Sequence, residues 1–242
     1  MIKKLCEFTD INGGLPPFMS VINTDFYFPR SVSDGVYFQE IDGERTLLFS
    51  FRGVTATICR LNEKADTGEL SSFLKFQGIK KVLSDFFFEE ICLEERAVLK
   101  ATPEYEEFYD AIVVTPSSVL SDYENVFNLL SRDGSFEMWY PLFSAKINSS
   151  FSCGVYMMES DAPVSCAVAP FVFGNTAVVA GVFTREDYRN KGYATKCVKA
   201  LLNELYKKNV DDVYLWCEDK NINLYKNIGF SLCGKIYVKK EE

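Results

Sequence analysis

Histidine is missing from all 242 residues. That absence removes Ser-His-Asp and Cys-His catalysis, histidine-bearing zinc sites and imidazole proton shuttles together. Any acid or base must then be Asp, Glu, Tyr, Lys or Cys. None of the eight cysteines forms a C-x-x-C pair, which disfavours zinc ribbons and thioredoxin-type chemistry, and no metal site is expected. Most lie inside apolar runs, the setting of reduced thiols in a cytoplasmic protein, so a cysteine nucleophile is the less favoured reading. Positive charge is also short: 26 Lys+Arg face 34 Asp+Glu, a formal charge of -8. Neither nucleic acid nor an anionic membrane surface is an expected partner.

A secretory leader is not expected either, because Lys3-Lys4 are followed by Glu7 and Asp10 before any apolar stretch develops. Only 162–184 lacks charge over a bilayer-spanning length. Pro163, Pro170 and the Gly174-Asn175 pair break it, and it reads as strands joined by turns rather than as a membrane helix. What remains is a globular composition, 48% hydrophobic and 15% aromatic, with enough apolar residues for a large core.

Charge divides the chain in two. Residues 1–110 hold 12 Lys+Arg and 19 Asp+Glu, net -7, against 14 and 15, net -1, in 111–242. The acidic, proline-bearing segment 102–110 suits an exposed connection between two domains, 1–110 and 111–242. In the first, Val36–Ile41 and Thr46–Phe51 flank the hairpin signal Asp42-Gly43-Glu44, and Val54–Leu61 follows as a strand. Asp66 and Glu69 form a capping-box pattern opening a helix that stops at Gly78, before a strand at Ile79–Leu83.

In 111–242, a short strand at Ala111–Thr115 precedes a helix capped by Ser121 with Glu124. A second helix through Met138, Trp139, Leu142 and Phe143 must kink or begin at Pro141. Cys153–Met158, Val164–Val172 and Ala177–Thr184 read as strands, the last so apolar that it is expected at the sheet centre, covered on both faces. Ala194, Cys197, Val198, Leu201, Leu202 and Leu205 recur at helical spacing, with Asn209 placed to end the helix. A strand at Val213–Cys217, a short helix at Asn221–Asn227 closed by Gly229, and a strand at Leu232–Lys239 complete an α/β sandwich on a largely antiparallel sheet.

Between Thr184 and Tyr193 the chain passes from a strand through a glycine turn into a helix N-terminus, where unpaired amides meet the positive end of the dipole. Arg189, Lys191 and Lys196 add charge, and Ala194 leaves room for close approach. The run Arg189-Asn190-Lys191-Gly192-Tyr193-Ala194 resembles the R/Q-x-x-G-x-G/A motif of the GNAT N-acetyltransferase superfamily. Downstream, Tyr225-x-x-x-Gly229-Phe230 is similar to that family's Tyr-x-x-x-Gly-Phe signature. Residues 111–242 are thereby identified as a member, with a GNAT-like mixed sheet.

The resemblance implies acetyl-CoA as co-substrate, its pyrophosphate on the amides of Arg189–Ala194 and its pantetheine arm along Gly181, Val182 and Phe183, with Asn221 nearby. It implies direct attack by a primary amine of a small molecule or protein, the fifth strand splayed away, and Tyr225 as general acid. The chain departs from the family at Glu186, where a proline is common, at Asp219, where asparagine is, and in lacking a carboxylate on Ala177–Thr184. Glu137, Glu159 and Glu218 are substitute bases by rough position only. The first half resembles a degenerate GNAT core whose Glu63, Asp66 and Glu69 would repel a pyrophosphate, so the protein is expected to be a tandem form with no cofactor there. Its acidity suits either a pocket for a cationic amine or a mere cover. A non-catalytic acyl-CoA-binding or regulatory protein, and a pure interaction domain, are the alternatives; acceptor and oligomeric state stay open.

Overall fold

Two residues with left-handed backbone, Asp42 at φ 51° and Gly43 at φ 80°, close the hairpin expected at that point, since such turns match the twist of paired strands. In the computed structural model residues 1–6, 20–29, 34–105, 110–130 and 135–239 are described. The expectations for the chain start beyond residue 6 and for the middle of 102–110 lie outside them. The elements begin with β1 (Ile2–Lys4), α1 (Ser20–Tyr27), β2 (Gly35–Ile41), β3 (Glu44–Arg52), β4 (Thr55–Arg60), α2 (Thr67–Phe76), β5 (Lys81–Ser84) and β6 (Leu93–Ala101). There follow β7 (Ile112–Val114), α3 (Leu120–Leu130), α4 (Phe136–Asn148), β8 (Cys153–Glu159), β9 (Ala162–Ala169), β10 (Phe171–Phe173), β11 (Thr176–Val179) and β12 (Gly181–Thr184). The chain closes with α5 (Tyr193–Lys207), β13 (Asp212–Cys217), α6 (Ile222–Lys226) and β14 (Ser231–Lys239).

By contacts the chain forms two units, Met1–Val98 with Trp216–Asp219 and Cys233–Glu242, and Leu99–Leu215 with Lys220–Leu232. In the first unit the strand order is β1-β2-β3-β4-β5-β14, with only β4 and β5 parallel. Strand β3 is buried on both faces: Leu47, Phe49 and Phe51 join Leu70 and Leu74 of α2 in one core, while Ser50 donates to Asp25 of α1 at 2.8 Å. The cap of α2 is as expected, Glu69 N donating to Asp66 Oδ1 at 2.9 Å. Glu69 does not return the bond. Buried Gln39 takes that role, accepting from Asp66 N at 2.9 Å and donating to Glu69 at 2.8 Å.

The second unit carries a four-stranded antiparallel sheet ordered β12-β9-β8-β7, and a pairing series β13-β11-β10 in which β11 and β13 are parallel. Helices α3 and α4 cover one face of the four-stranded sheet through Val126, Leu129, Phe143 and Ile147. Helix α5 buries Cys197, Val198, Leu201, Leu202 and Leu205 against β8, β9 and β12. Its chain reverses at Asn209, φ 58°, as the sequence predicts. The fold is the expected mixed α/β type, largely antiparallel and flanked by helices.

Three local expectations need correction, and of two alternatives for Pro141 one is removed. The apolar run 177–184 is not one central strand: β11 ends at Val179, Ala180 is exposed, and β12 joins the other sheet with every residue only half-buried. Val164–Val172 likewise breaks into β9 and β10 at Pro170, which has no N–H for a ladder. Helix α3 starts at Leu120 rather than after Ser121, its entry closed by Val119 N donating to Asp122 Oδ2 at 3.1 Å. Pro141 neither begins α4 nor ends it but lies inside. The uncharged stretch 162–184 is β-structured, and no helix among the described residues is long and apolar enough to cross a membrane.

Candidate active site

The division of 177–184 creates the candidate site. Val178 and Val179 pair with Tyr214 and Leu215 of β13, and two residues later the chain pairs only with β9, Gly181 opposite Val168 and Phe183 opposite Cys166. Strand β12 is therefore an edge of its sheet, with backbone donors and acceptors on its outer side for an extended ligand. Glycine sets its depth. Gly154, Val168 and Gly181 share one row across β8, β9 and β12. A Cβ at Gly154 would stand 3.2 Å from Phe143 Cζ of α4, and one at Gly181 3.0 Å from Leu130 Cδ2 of α3. The helical layer sinks into the sheet along that row.

From Thr184 the chain enters a 3₁₀ turn at Glu186–Tyr188 and a bend through Asn190, φ 60°, and Gly192, φ 84°. A residue with a side chain meets the left-handed region at a cost, so glycine suits the second position. The first intrahelical bond of α5 runs from Lys196 N to Gly192 O at 3.0 Å, leaving the amides of Tyr193, Ala194 and Thr195 without a helical acceptor. Arg189 donates from Nε to Thr184 O at 3.2 Å and from a guanidinium nitrogen to Glu186 Oε1 at 3.4 Å. Lys191 lies over the Tyr188 ring at 5.0 Å and Lys196 over Tyr193 at 5.9 Å. Amides at the positive end of a helix dipole, with two lysines and an arginine, fit a pyrophosphate. Glu186 opposes them, yet its side chain is 83% exposed and points its charge at Arg189.

Of the three carboxylates that the sequence offers by rough position, Glu159 is already engaged here, which the sequence does not show. Glu159, at the end of β8, accepts a short hydrogen bond from Tyr193 Oη, which pushes that phenol up, with burial adding to the shift. The pair is 34 positions apart, beyond any local pattern. Of the other substitute bases, Glu137 is exposed in the first turn of α4, its carboxyl held low by its own backbone amide and then by Ser135. Glu218 lies 4.0 Å from Arg96. Ser165 Oγ donates to Phe183 O at 2.9 Å and shares a hydrogen bond with Thr184 Oγ1 at 2.8 Å, stiffening β12.

Tyr225, half-buried on α6, sets its ring edge-on to Phe230 at 5.9 Å, and its carbonyl accepts from Ile228 N and Phe230 N, both at 3.0 Å. Asn221 is the N-cap of α6 without a side-chain cap bond. The cysteines are free, and burial moves the interior thiols away from ionisation, Cys153 to about 12 and Cys197 to about 11. In the first unit the start of α2 is filled by the chain itself: Asp66 Oδ1 accepts from Glu69 N, and a Cβ at Gly68 would stand 3.3 Å from that oxygen. Among the described residues no group of three or more His, Cys, Asp or Glu could hold a metal ion.

An edge strand leading through a left-handed glycine turn into an amide-rich helix start suits an extended ligand that ends in an anionic group. Residues 119–230 match the model of the acetyltransferase (GNAT) family. Solved structures agree in fold. A GCN5-related N-acetyltransferase from Kribbella flavida is 11% identical with a TM-score of 0.62, covering 95% of this chain and 97% of that one. A GCN5-related N-acetyltransferase-like protein from Streptococcus suis is 13% identical at a TM-score of 0.59, covering 96% and 94%. A tandem GNAT protein from the clavulanic acid biosynthesis pathway is 11% identical at 0.57, covering 96% and 91%. These likenesses extend over the first unit as well as the second. No curated protein sequence matches the chain.

Proposed function

We propose that the protein is a cytoplasmic N-acyltransferase moving an acetyl group from acetyl-CoA to a primary amine of a small molecule or protein. The observation that carries this reading is the continuous path from the free edge of β12 through Arg189 to the amides after Gly192. When bound, acetyl-CoA supplies a thioester, an acyl group already activated toward amines. Gly181, Val182 and Phe183 align the extended arm along the edge. Arg189, Asn190, Lys191, Gly192, Tyr193 and Ala194 hold the pyrophosphate, and Asn221 lies beside the arm. Backbone amides near the β11–β12 break offer hydrogen bonds to a developing oxyanion.

Tyr225 Oη holds the proton that the departing sulfur requires, the role the family motif assigns to this position. Tyr225→Phe is expected to lower kcat by about 10²–10⁴-fold, and a loss below about threefold removes it from that role. We assign catalysis to 111–242 and an accessory, degenerate GNAT-like part without cofactor to 1–110. Capping of α2 by Asp66 supports the latter.

Two observations favour a second reading. β11 and β12 carry no carboxylate, and Glu186 competes for Arg189, as expected of a non-catalytic acyl-CoA-binding or regulatory protein. Calorimetric titration of acetyl-CoA, with Gly192→Glu as control, tests both. Binding near one per chain that the variant loses supports them, and thiol release with amines separates the enzyme from the binder. No binding to the folded protein at millimolar acetyl-CoA rejects both.

A further inference from the structure

The C-terminal end of α3 and the start of α4 carry a group of aromatic rings that core packing leaves only half-buried. Phe127 lies 5.6 Å from Phe136 and 5.4 Å from Trp139, Phe136 stacks on Tyr140 at 5.3 Å, and Trp139 stacks on buried Phe143 at 4.4 Å. Phe127, Phe136, Trp139 and Tyr140 each keep part of their surface toward solvent, and Met138 beside them is 81% exposed.

Its position ties it to β12. Leu130, the last residue of α3, is the side chain against Gly181, and Phe136, Trp139 and Tyr140 pack on the same cluster as Phe183 of β12. The ring group is thus joined to the face of β12 carrying Gly181 and Phe183. Charge agrees with a cationic guest. The described residues of α3 and α4 hold Asp122, Glu124 and Glu137 against one lysine, Lys146, which is buried and donates to Pro170 O at 3.2 Å. Glu137 stands between Phe136 and Met138 and stays charged.

We propose that this ring group selects the acceptor: a primary ammonium carried on an aromatic or flat apolar group, whose ring lies against the solvent-facing surfaces of Phe127, Phe136 and Trp139. The assignment rests on the acetyltransferase reading above. Ring faces attract both aromatic edges and ammonium groups, whereas a sugar amine or polyamine brings no flat apolar face to set against them.

The test measures thiol release from acetyl-CoA with phenethylamine, diaminobutane and glucosamine as acceptors, beside calorimetry of acetyl-CoA alone. The expected result is a kcat/KM for phenethylamine at least about tenfold above the other two. In Trp139→Ala the preference falls to within about threefold, through KM, while acetyl-CoA affinity is unchanged. Should Trp139→Ala not fold, Met138→Lys, a change at an exposed position, is expected to raise KM selectively for phenethylamine. Equal use of the three amines, turnover of the diamine or glucosamine alone, or a preference untouched in a folded variant overturns the assignment. So does acetyl-CoA binding without turnover of the aromatic amine. Failure to bind acetyl-CoA at all overturns the parent reading instead, and the calorimetric arm distinguishes the two failures.

Discussion

Gly181→Ala tests the row of glycines on which the helical layer rests. Gly181 lies outside the left-handed region, so an alanine has no backbone penalty, and lowering the freedom of the unfolded chain contributes about 0.4–1 kcal/mol in its favour. Against this, its methyl would meet Leu130 Cδ2 at 3.0 Å and Val168 Cβ at 3.4 Å. Overpacking of that kind costs roughly 1–3 kcal/mol. Leu130 is half-buried and its far end can give way, which places the net loss near 1 kcal/mol, a fall in Tm of roughly 2–4 °C for a chain of this size. Leu130→Ala removes the obstructing methyl groups, so the double variant should lose less than the two single ones together, by about 1 kcal/mol. Urea unfolding followed by tryptophan fluorescence reads all four proteins. Losses that add within about 0.5 kcal/mol would show that Leu130 does not occupy the space above Gly181. Because Leu130 neighbours the ring group and Gly181 itself lies on the proposed path of the acetyl-CoA arm, the single alanine is also expected to raise KM for both acceptor and acetyl-CoA.

Glu186→Gln should raise acetyl-CoA affinity about two- to fivefold by releasing Arg189, with the gain shrinking in high salt, because both side chains face water; calorimetry at two ionic strengths checks it. Burial of Tyr156, followed by its bond to Asp122 at 2.7 Å, pushes that phenol above its ordinary value of 10.0. The folded chain then keeps the proton longer than the unfolded one, so this contribution to stability is complete below about pH 10 and is lost as pH rises through the folded pKa. Alkaline titration at about 295 nm, where ionised phenols absorb, should show one late phenol fewer in Tyr156→Phe. A thiol reagent on the native protein should modify Cys6, Cys92 and Cys233 rapidly and spare the five buried cysteines. Rapid labelling of Cys153 or Cys197 would contradict their burial.

The features legible in the sequence are local. The Asp42-Gly43 turn, the Asp66 cap and the spacing of α5 each depend on neighbours a few residues away, and each is present. Helix α1 escapes such reading because Ser, Val, Ile, Asn and Thr are weak helix formers; burial of Val21, Ile22, Thr24 and Asp25 holds it instead. Strand β6, Leu-Glu-Glu-Arg-Ala-Val-Leu-Lys-Ala, is written in residues that favour helix, and sheet pairing overrides them. The break at Ala180 leaves no trace, because an apolar run looks the same whether one sheet takes it or two. In the candidate site, the glycine turn and its cations are legible. The Glu159–Tyr193 bond and the shared row of Gly154 and Gly181 are not, since packing of α5 on β8 makes the first and strand register the second.

Strand β14 pairs Tyr237 and Val238 with Ser84 and Leu83 of β5, and residues 233–242 group with the first unit. On a ribosome, where a chain folds from its N-terminus, that unit would wait with the edge of β5 open until residues 237 and 238 had been made. The segment that bears the candidate site is synthesised during that wait. Order of synthesis and order of completion are reversed, and a ribosome stalled before residue 233 would carry the already synthesised residues of α5 and an N-terminal unit still lacking its last strand.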